Sequence, residues 1–503
     1  MNIYLHSLKK AFFILLTAFS SCLLAEETKQ GALTILPPSE EAMLPFAQEQ
    51  LRSRHACHLG YRETAILQGT IPGRLTPVGD GLGLEVSIAF NGRYLFVGAP
   101  FAQAGGLADA GAVYIFYLNE GGQWILTQTL TTNGMENVFG EGTIRSQGKY
   151  LFIPATGTPL GVPSNPNPNF AGALLVYHLS SIPVSGTTAH LWELVQVIDQ
   201  STPGLEGLSD GAGLGFNNVV DAKTGWLLIG SGQEAINPLT GEVLPSAGAT
   251  FAFKLNRLTG LWELKQILTN PTGVRALNFF GSAVAMDKDF AFISDQPEPI
   301  NGVIQNGTVY VFHLSTHHGW RYVQRLIGDQ SLAVTQTSGV SDGFGVWTSM
   351  DDGWALIACP FENLLNSTIP LGAAYFYKLQ GDRWIKAQKV TSDDFNSTEI
   401  GFNYVQLQDR LAIISDSNRS GPAGLQQGGM LVFRRHRGVW QQLPTLLNPN
   451  GQPFQYFGQG GAFSSPLLFN GHVTRFFAAS SLSSPPVFTG LNPLYIFEAV
   501  CEE

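Results

Sequence analysis

Charge is scarce in this chain. Asp, Glu, Lys and Arg together make up only 13% of 503 residues, while glycine reaches 57. That balance fits turn-rich β structure and not a disordered polyelectrolyte. The formal charge is −10, and removing residues 1–25, which hold Lys9 and Lys10 and no acid, leaves −12. A net acidic chain argues against nucleic acid and against charge-driven binding to anionic lipid. Cysteine is also rare, at four residues, which excludes a disulfide-dense scaffold. No apolar run is long enough to span a bilayer once residues 1–25 are set aside. No G-x-S-x-G elbow and no phosphate-cradling loop is present, and no spacing supplies a zinc site around His55, Cys57 and His58.

A repeat fills the space those absences leave. Trp124, Trp192, Trp262, Trp320 and Trp384 are each followed four residues later by Gln (128, 196, 266, 324 and 388) and two further on by an aliphatic residue. Trp440 keeps Leu446 but has Pro444 at the Gln position. Repetition at this period marks stacked or radially arranged units.

Three more pieces recur in order before each tryptophan phrase. The first is a Gly-centred start, as in Phe139-Gly140, Phe280-Gly281, Phe344-Gly345 and Phe457-Gly458. An apolar run such as Tyr94-Leu95-Phe96-Val97 follows, and then Gly-small-aromatic, as in Gly111-Ala112-Val113-Tyr114. Each piece is short, rich in aromatic and β-branched residues, and bounded by turn formers, which reads as a strand. Asn91-Gly92 and Asn470-Gly471 are hairpin turns by composition. Four strands per unit give an antiparallel blade, and blades must pack around an axis to bury both faces.

Seven units can be counted, but the seventh lacks its last strand. Tyr61 and Leu67, six residues apart, match the tryptophan phrase from the front of the chain, with Ala65 at the Gln position. The expected fold is therefore an all-β, seven-bladed propeller whose last blade is closed by an N-terminal strand. Cys57 and Cys501 would then lie near one end of that blade, and a disulfide between them is expected in an oxidising compartment.

The FG start, the Gly98-Ala99-Pro100 that ends a second strand, the G-A-x-Y-x-F run and the W-x-x-x-Q-x-L phrase resemble the FG-GAP repeats of bacterial secreted proteins. More distantly they are similar to the seven-bladed N-terminal propeller of integrin α subunits. The resemblance covers about residues 57 to 500 and implies a binding propeller. The integrin-type calcium series D-x-D-x-D-G is missing between first and second strands. Asp416-Ser417-Asn418-Arg419-Ser420-Gly421 mimics it at the wrong place, where turn chemistry accounts for it, so no cofactor or metal is expected.

Residues 1–25 read as a secretory signal, with Cys22 an alternative lipid anchor, and residues 26–56 as an arm or linker before the propeller at 57–503. The chain is expected to be exported and monomeric, in the periplasm, on the outer surface or released. Connections between strands 2 and 3, and from strand 4 to the next blade, are long and emerge on one face, where recognition usually lives. Phe101, Phe170, Phe361, Phe395, Phe454 and Tyr456 are the candidate contacts there. The favoured expectation is a non-enzymatic protein that recognises a protein or glycan through this face. The alternatives are a structural envelope lipoprotein, or a carbohydrate-active or other hydrolytic propeller whose acids would come from Asp210, Glu234, Asp342 and Glu362.

Overall fold

The computed structural model describes residues 58–502, apart from 74–78, 85, 108, 133–137, 157–170, 185–186, 222–223, 297–305, 330–341, 363–370, 392–396, 449–450, 470–471 and 482–490. Seven four-stranded antiparallel sheets form a seven-bladed propeller, and the one helical element among the described residues is a 3-10 turn at Ala104–Gly106. In blade 1 the strands run from the axis outward as Ile88–Asn91, Tyr94–Ala99, Ala112–Leu118 and Trp124–Leu130. Blades 2 to 6 repeat this order. Blade 7 takes its three inner strands from the C-terminal end and its outer strand, His58–Leu67, from the front of the chain. The ring closes as the sequence predicts, with Tyr61 opposite Ala499 and Leu67 opposite Leu494.

No disulfide is supported at that closure. Cys57 lies outside the described residues, and the register sets Leu59, not Cys57, opposite Cys501. Backbone pairing carries the closure, with Arg62 bonding Glu498 at 2.5 Å and the Thr64 hydroxyl donating to Ile496 O. The proposed signal and arm, residues 1–56, also lie outside the described residues.

The tryptophan phrase works through a β-bulge. On a regular strand, residues four apart face the same way. In blades 1 to 5 the register against the third strand slips just before the Gln; in blade 1, Phe116 faces Leu126 while Ile115 faces Gln128, leaving Thr127 unpaired. The extra residue turns Trp and Gln to opposite faces of the blade. Trp192 therefore packs edge-on against Phe96 and Tyr94 of the preceding blade, with ring centroids 5.1 and 5.8 Å away. Gln128 reaches forward instead. Its amide donates to Trp192 O at 3.0 Å and accepts from Trp192 N at 3.0 Å. The same two-bond clasp joins Gln196 to Trp262, Gln266 to Trp320, Gln324 to Trp384 and Gln388 to Trp440.

The repeat glycines serve the same contacts from the other end. Gly111 bridges Phe139 of the next blade in parallel, and a β-carbon on Gly111 would overlap the Phe139 backbone. The residue before each FG glycine pair, whether Gly81, Val138, Phe279, Gly343, Glu399 or Tyr456, is held at positive φ. That conformation belongs to the repeat and marks no single blade.

Two junctions lack the Gln clasp. Between blades 6 and 7, Gln406 bonds both N and O of Phe463 on the inner strands, and Arg475 pairs with Asp409 at 2.5 Å. Between blades 7 and 1, a small hairpin (Leu467–Phe469, His472–Thr474) brings Phe469 into one cluster with Trp124.

The axis is closed by apolar residues. Val86 of blade 1 and Phe216 of blade 3 both pack on the cluster that contains Trp347 of blade 5 and Ile400 of blade 6. Side chains from blades that are not neighbours meet only at the centre of a ring, so Val86, Phe216 and Val346 form a plug on the long-loop face.

Gln266→Ala should lower unfolding stability by about 1–3 kcal/mol, since it removes two hydrogen bonds and strands two backbone groups of Trp320. Ala65→Gln should install a clasp on Trp124 and raise stability by about 0.5–1.5 kcal/mol. Urea unfolding of the two variants beside the native chain measures both, and a neutral Gln266→Ala would show that the clasp contributes nothing.

Candidate functional site

Acids are enclosed where the long loops leave the blades. Blades 1 and 5 both carry D-G-x-G before their first strand, as Asp80-Gly81-Leu82-Gly83 and Asp342-Gly343-Phe344-Gly345. In each, one carboxylate oxygen bridges two blades. Asp342 Oδ1 accepts from Phe344 N and from Gly307 N of blade 4, both at 3.0 Å. Asp80 Oδ1 accepts from Leu82 N at 3.2 Å and from Asn492 N of blade 7 at 2.9 Å. The second oxygen of each is buried without a protein partner among the described residues. Burial pushes Asp342 up to about 6 and Asp80 up to about 7. The blades share a further residue at this level. The Tyr375 hydroxyl accepts from Asp329 N at 3.0 Å, as the Tyr114 hydroxyl does from Ile71 N at 2.9 Å.

Blade 5 then departs from blade 1. Glu362, 1% exposed, follows its second strand (Trp354–Cys359) and accepts from the Tyr375 hydroxyl at 2.5 Å. Lys389 of the outer strand ion-pairs with the other Glu362 oxygen, and Lys386 pairs with Asp329. The Glu362 charge adds to the burial that raises Asp342. The Cys359 thiol donates to Asp342 O at 3.3 Å, and burial with two neighbouring acids pushes its pKa well up, so it stays a thiol and not a nucleophile. Gly328 stands in the middle. A β-carbon there would lie 3.2 Å from Asp342 Oδ2, 3.3 Å from the Phe344 ring and 3.6 Å from the Tyr375 hydroxyl, so the backbone lies close against those groups and a side chain at this position would crowd them. Asp329 and Lys386, each about two-fifths exposed, connect the cluster to solvent.

The arrangement holds two neighbouring carboxyls in unequal surroundings, one enclosed and one ion-paired, which is the condition for separate acid and base roles. Of the four acids named from sequence, Asp342 and Glu362 come together in blade 5. Glu234 is engaged by Ser209 N and Ile236 N in blade 3, beside the exposed Asp210. No acids of these two pairs meet each other.

The candidate loop aromatics are scattered. Phe101 is buried at 4% exposure beneath Gly81. Phe361 is half-buried against Phe402, with centroids 5.6 Å apart. The Tyr456 hydroxyl donates to Gln426 at 2.7 Å, and Phe454 is 48% exposed. Phe170 and Phe395 lie outside the described residues. Asp416 in the calcium-like series is occupied by Ser397 and Arg419. No group of three or more His, Cys, Asp or Glu that could hold a metal ion occurs among the described residues, and no helix there is long and apolar enough to cross a membrane.

No family model matches the sequence, and neither does any curated protein. Solved structures share the fold. A protein assigned as a 6-phosphogluconolactonase from Bacteroides uniformis is 10% identical over 71% of this chain and 83% of its own, with a TM-score of 0.41. The periplasmic gluconolactonase of Pseudomonas aeruginosa is 13% identical over 72% and 84%, with a TM-score of 0.38. A mutant sialidase of Trypanosoma rangeli is 9% identical over 88% and 60%, with a TM-score of 0.39. At such identity the likeness shows the fold alone. The FG-GAP and integrin resemblance is thus one of motif, and the seven-bladed propeller is what stands.

The expectation of a non-enzyme is corrected. The structures that resemble this chain are predominantly enzymes.

The raised carboxyls set a pH dependence. In the folded chain Asp80, Glu141, Asp295 and Asp342 titrate at about 6–7, above their ordinary values of 3.8 and 4.5. The native state binds more protons than the unfolded one in that window, so the stabilisation is complete below about pH 4 and is lost as pH rises through about 6–7. The urea midpoint should be higher at pH 5 than at pH 8, and Asp80→Asn should flatten the difference.

Proposed function

We propose that this chain is a hydrolytic propeller whose acid–base pair is Asp342 and Glu362 of blade 5. The observation that carries the reading is the enclosed Asp342 carboxyl, its Oδ2 without a partner among the described residues, beside the ion-paired Glu362 and the Tyr375 hydroxyl. A bond cleaved there would receive a proton from Asp342, whose pKa near 6 leaves a useful protonated fraction at neutral pH. Glu362, held by Lys389 and the Tyr375 hydroxyl, would accept a proton from water. Ester, lactone and glycosidic bonds all fit that division of labour; a carbohydrate-derived substrate is our first choice because sugar hydroxyls match the polar rim of Asp329, Lys386 and Lys389.

Recognition by the long-loop face is part of the same reading. Phe454 is exposed there, and stacking of a sugar or a partner's side chain on its ring would position the substrate. Export, which the front of the sequence suggests, would place the enzyme among extracellular or periplasmic glycans and lactones.

Turnover of a panel of sugar lactones, aryl esters and aryl glycosides tests the proposal. Asp342→Asn and Glu362→Gln should each lower kcat/KM by about 100-fold or more. Gly328→Ala should do the same by crowding Asp342 Oδ2 while leaving every charge in place. Asp80→Asn, the counterpart in blade 1, should keep full activity. The alkaline limb of kcat/KM should fall as pH rises through about 6, where Asp342 loses its proton. Full activity of Asp342→Asn, or no turnover across the panel, would overturn the assignment.

A further inference from the structure

Charge is divided unevenly between the two faces of the ring. The connections from strand 2 to strand 3, and from strand 4 to the next blade, emerge on the long-loop face. Across all seven blades these connections hold 18 acids and three bases, Arg74, Arg275 and Arg419, with no Lys and no His. The strands and tight turns of residues 57–503 carry the other 20 Lys and Arg against 15 acids. The long-loop face is therefore formally −15 (three bases less 18 acids) and the rest of the propeller +5. Counting Asp80, Glu141 and Asp342, which titrate at about 6–7, as neutral still leaves that face at −12.

The acid pair of blade 5 belongs to this face, and the connections around it supply no cation. The two that form it, 328–347 and 360–372, contain Asp329, Asp342 and Glu362 but no Lys, Arg or His. Their uncharged polar residues are Ser, Thr, Asn and Gln, which offer neutral hydrogen bonds. The neighbouring connections, 296–307 and 392–404, add four more acids and again no base. Two cations do reach the cluster from the outer strand of blade 5, and both are engaged, Lys389 by Glu362 and Lys386 by Asp329. Of the loop arginines, Arg419 pairs with Asp416 in blade 6 and Arg275 acts on Asp295 in blade 4; Arg74 lies outside the described residues. A phosphate or carboxylate gives up water only for strong donors, usually Arg or Lys. Here it would meet charge of its own sign, and a surface of one sign lowers the local concentration of like ions.

We infer that the blade 5 site takes an uncharged carbohydrate derivative and turns away phosphorylated, sulfated or carboxylated ones. The inference rests on that acid pair being the site, and it adds the charge of the substrate. With Asp342 holding its proton, two carboxylates are balanced by two lysines, so no charge is left over for a cationic sugar either.

Matched pairs that differ in one charged group test this: nitrophenyl glucoside against nitrophenyl glucuronide, and gluconolactone against its phosphate ester. At low salt kcat/KM should be at least about 10-fold higher for the uncharged member. Sodium chloride should narrow that gap by screening while leaving the uncharged member unchanged. Asp329→Asn, which releases Lys386, should narrow it too. Calorimetric binding of the nitrophenyl pair to the native chain makes the same comparison without turnover. Binding that prefers the glucoside, with neither compound cleaved, would remove the acid pair as catalyst and leave the charge selectivity standing. Equal or better binding and turnover of the charged members would overturn this inference and leave the acid pair in place. Failure of every uncharged member to bind or react would overturn both.

Discussion

Every junction between blades 1 and 6 is held by one side-chain amide bonding both backbone groups of one residue in the next blade. That clasp constrains the rest of the architecture. The Trp residue supplies its N–H and C=O to the amide of the previous blade and packs its indole on that blade too, while the Gln of the same strand reaches the next blade, so one phrase ties three blades together. For this to work, Trp and Gln must point to opposite faces although four residues separate them, and the bulge between them is what makes that possible. The indole N–H groups of all six repeat tryptophans are buried without an acceptor among the described residues. Edge-on packing against neighbouring rings, as for Trp192 on Phe96 at an interplanar angle of 88°, is the arrangement that tolerates such a group.

Blade 7 is built from both ends of the chain, and neither of its junctions has the Trp–Gln clasp of the outer strands; toward blade 6 the inner-strand Gln406 bonds Phe463 instead. The bulge persists there, with Thr64 unpaired between Glu63 and Ala65, but Ala65 has no amide to offer. Other contacts stand in for it. Tyr61 packs edge-on against Phe477 at 5.4 Å, Asn492 donates its backbone N–H to Asp80 across the seam, and the extra hairpin carries Phe469 to blade 1. A ring sealed by its ends needs interactions independent of the repeat, because the repeat phrase is split at that point.

Much of this was legible in the residues. The Trp phrase, the count of second strands and the match of Tyr61 and Leu67 to the phrase specify the ring and its closure. The purpose of the Gln was not legible, because regular strand geometry places it beside the Trp and a bulge leaves no composition signature. The disulfide expectation is not supported: Leu59 is the residue opposite Cys501, and Cys57 lies outside the described residues. Phe101 was read as a loop aromatic, yet the glycine at position 81 lets the chain fold over it. Asp342 and Glu362 were among the four acids the sequence offered, but which of the four meet was not legible. Asp342 and Glu362 are twenty residues apart with a complete hairpin between them, and their proximity is a product of strand pairing. One signal was present in the D-G-x-G of Asp80 and Asp342, whose last glycine is that of the FG-type pair; Asp210-Gly211-Ala212-Gly213 of blade 3 has the same letters two residues out of that register.

Repetition supplies its own control for function. Where blades 1 and 5 share a feature, the bridging carboxylate and the tyrosine that holds the preceding loop, the repeat accounts for it as structure. Where blade 5 adds to the pattern, the repeat gives no account. Glu362 and Lys389 bury an ion pair beside an enclosed carboxyl, an arrangement that costs desolvation and gives blade 5 nothing that blade 1 lacks for its own folding. The open oxygen of Asp342 has its match in Asp80 of blade 1, so the added ion pair, and not that oxygen, sets blade 5 apart. In a scaffold whose other contacts are made seven times or nearly so, an added charge pair of that sort is the strongest physical reason to look for a ligand.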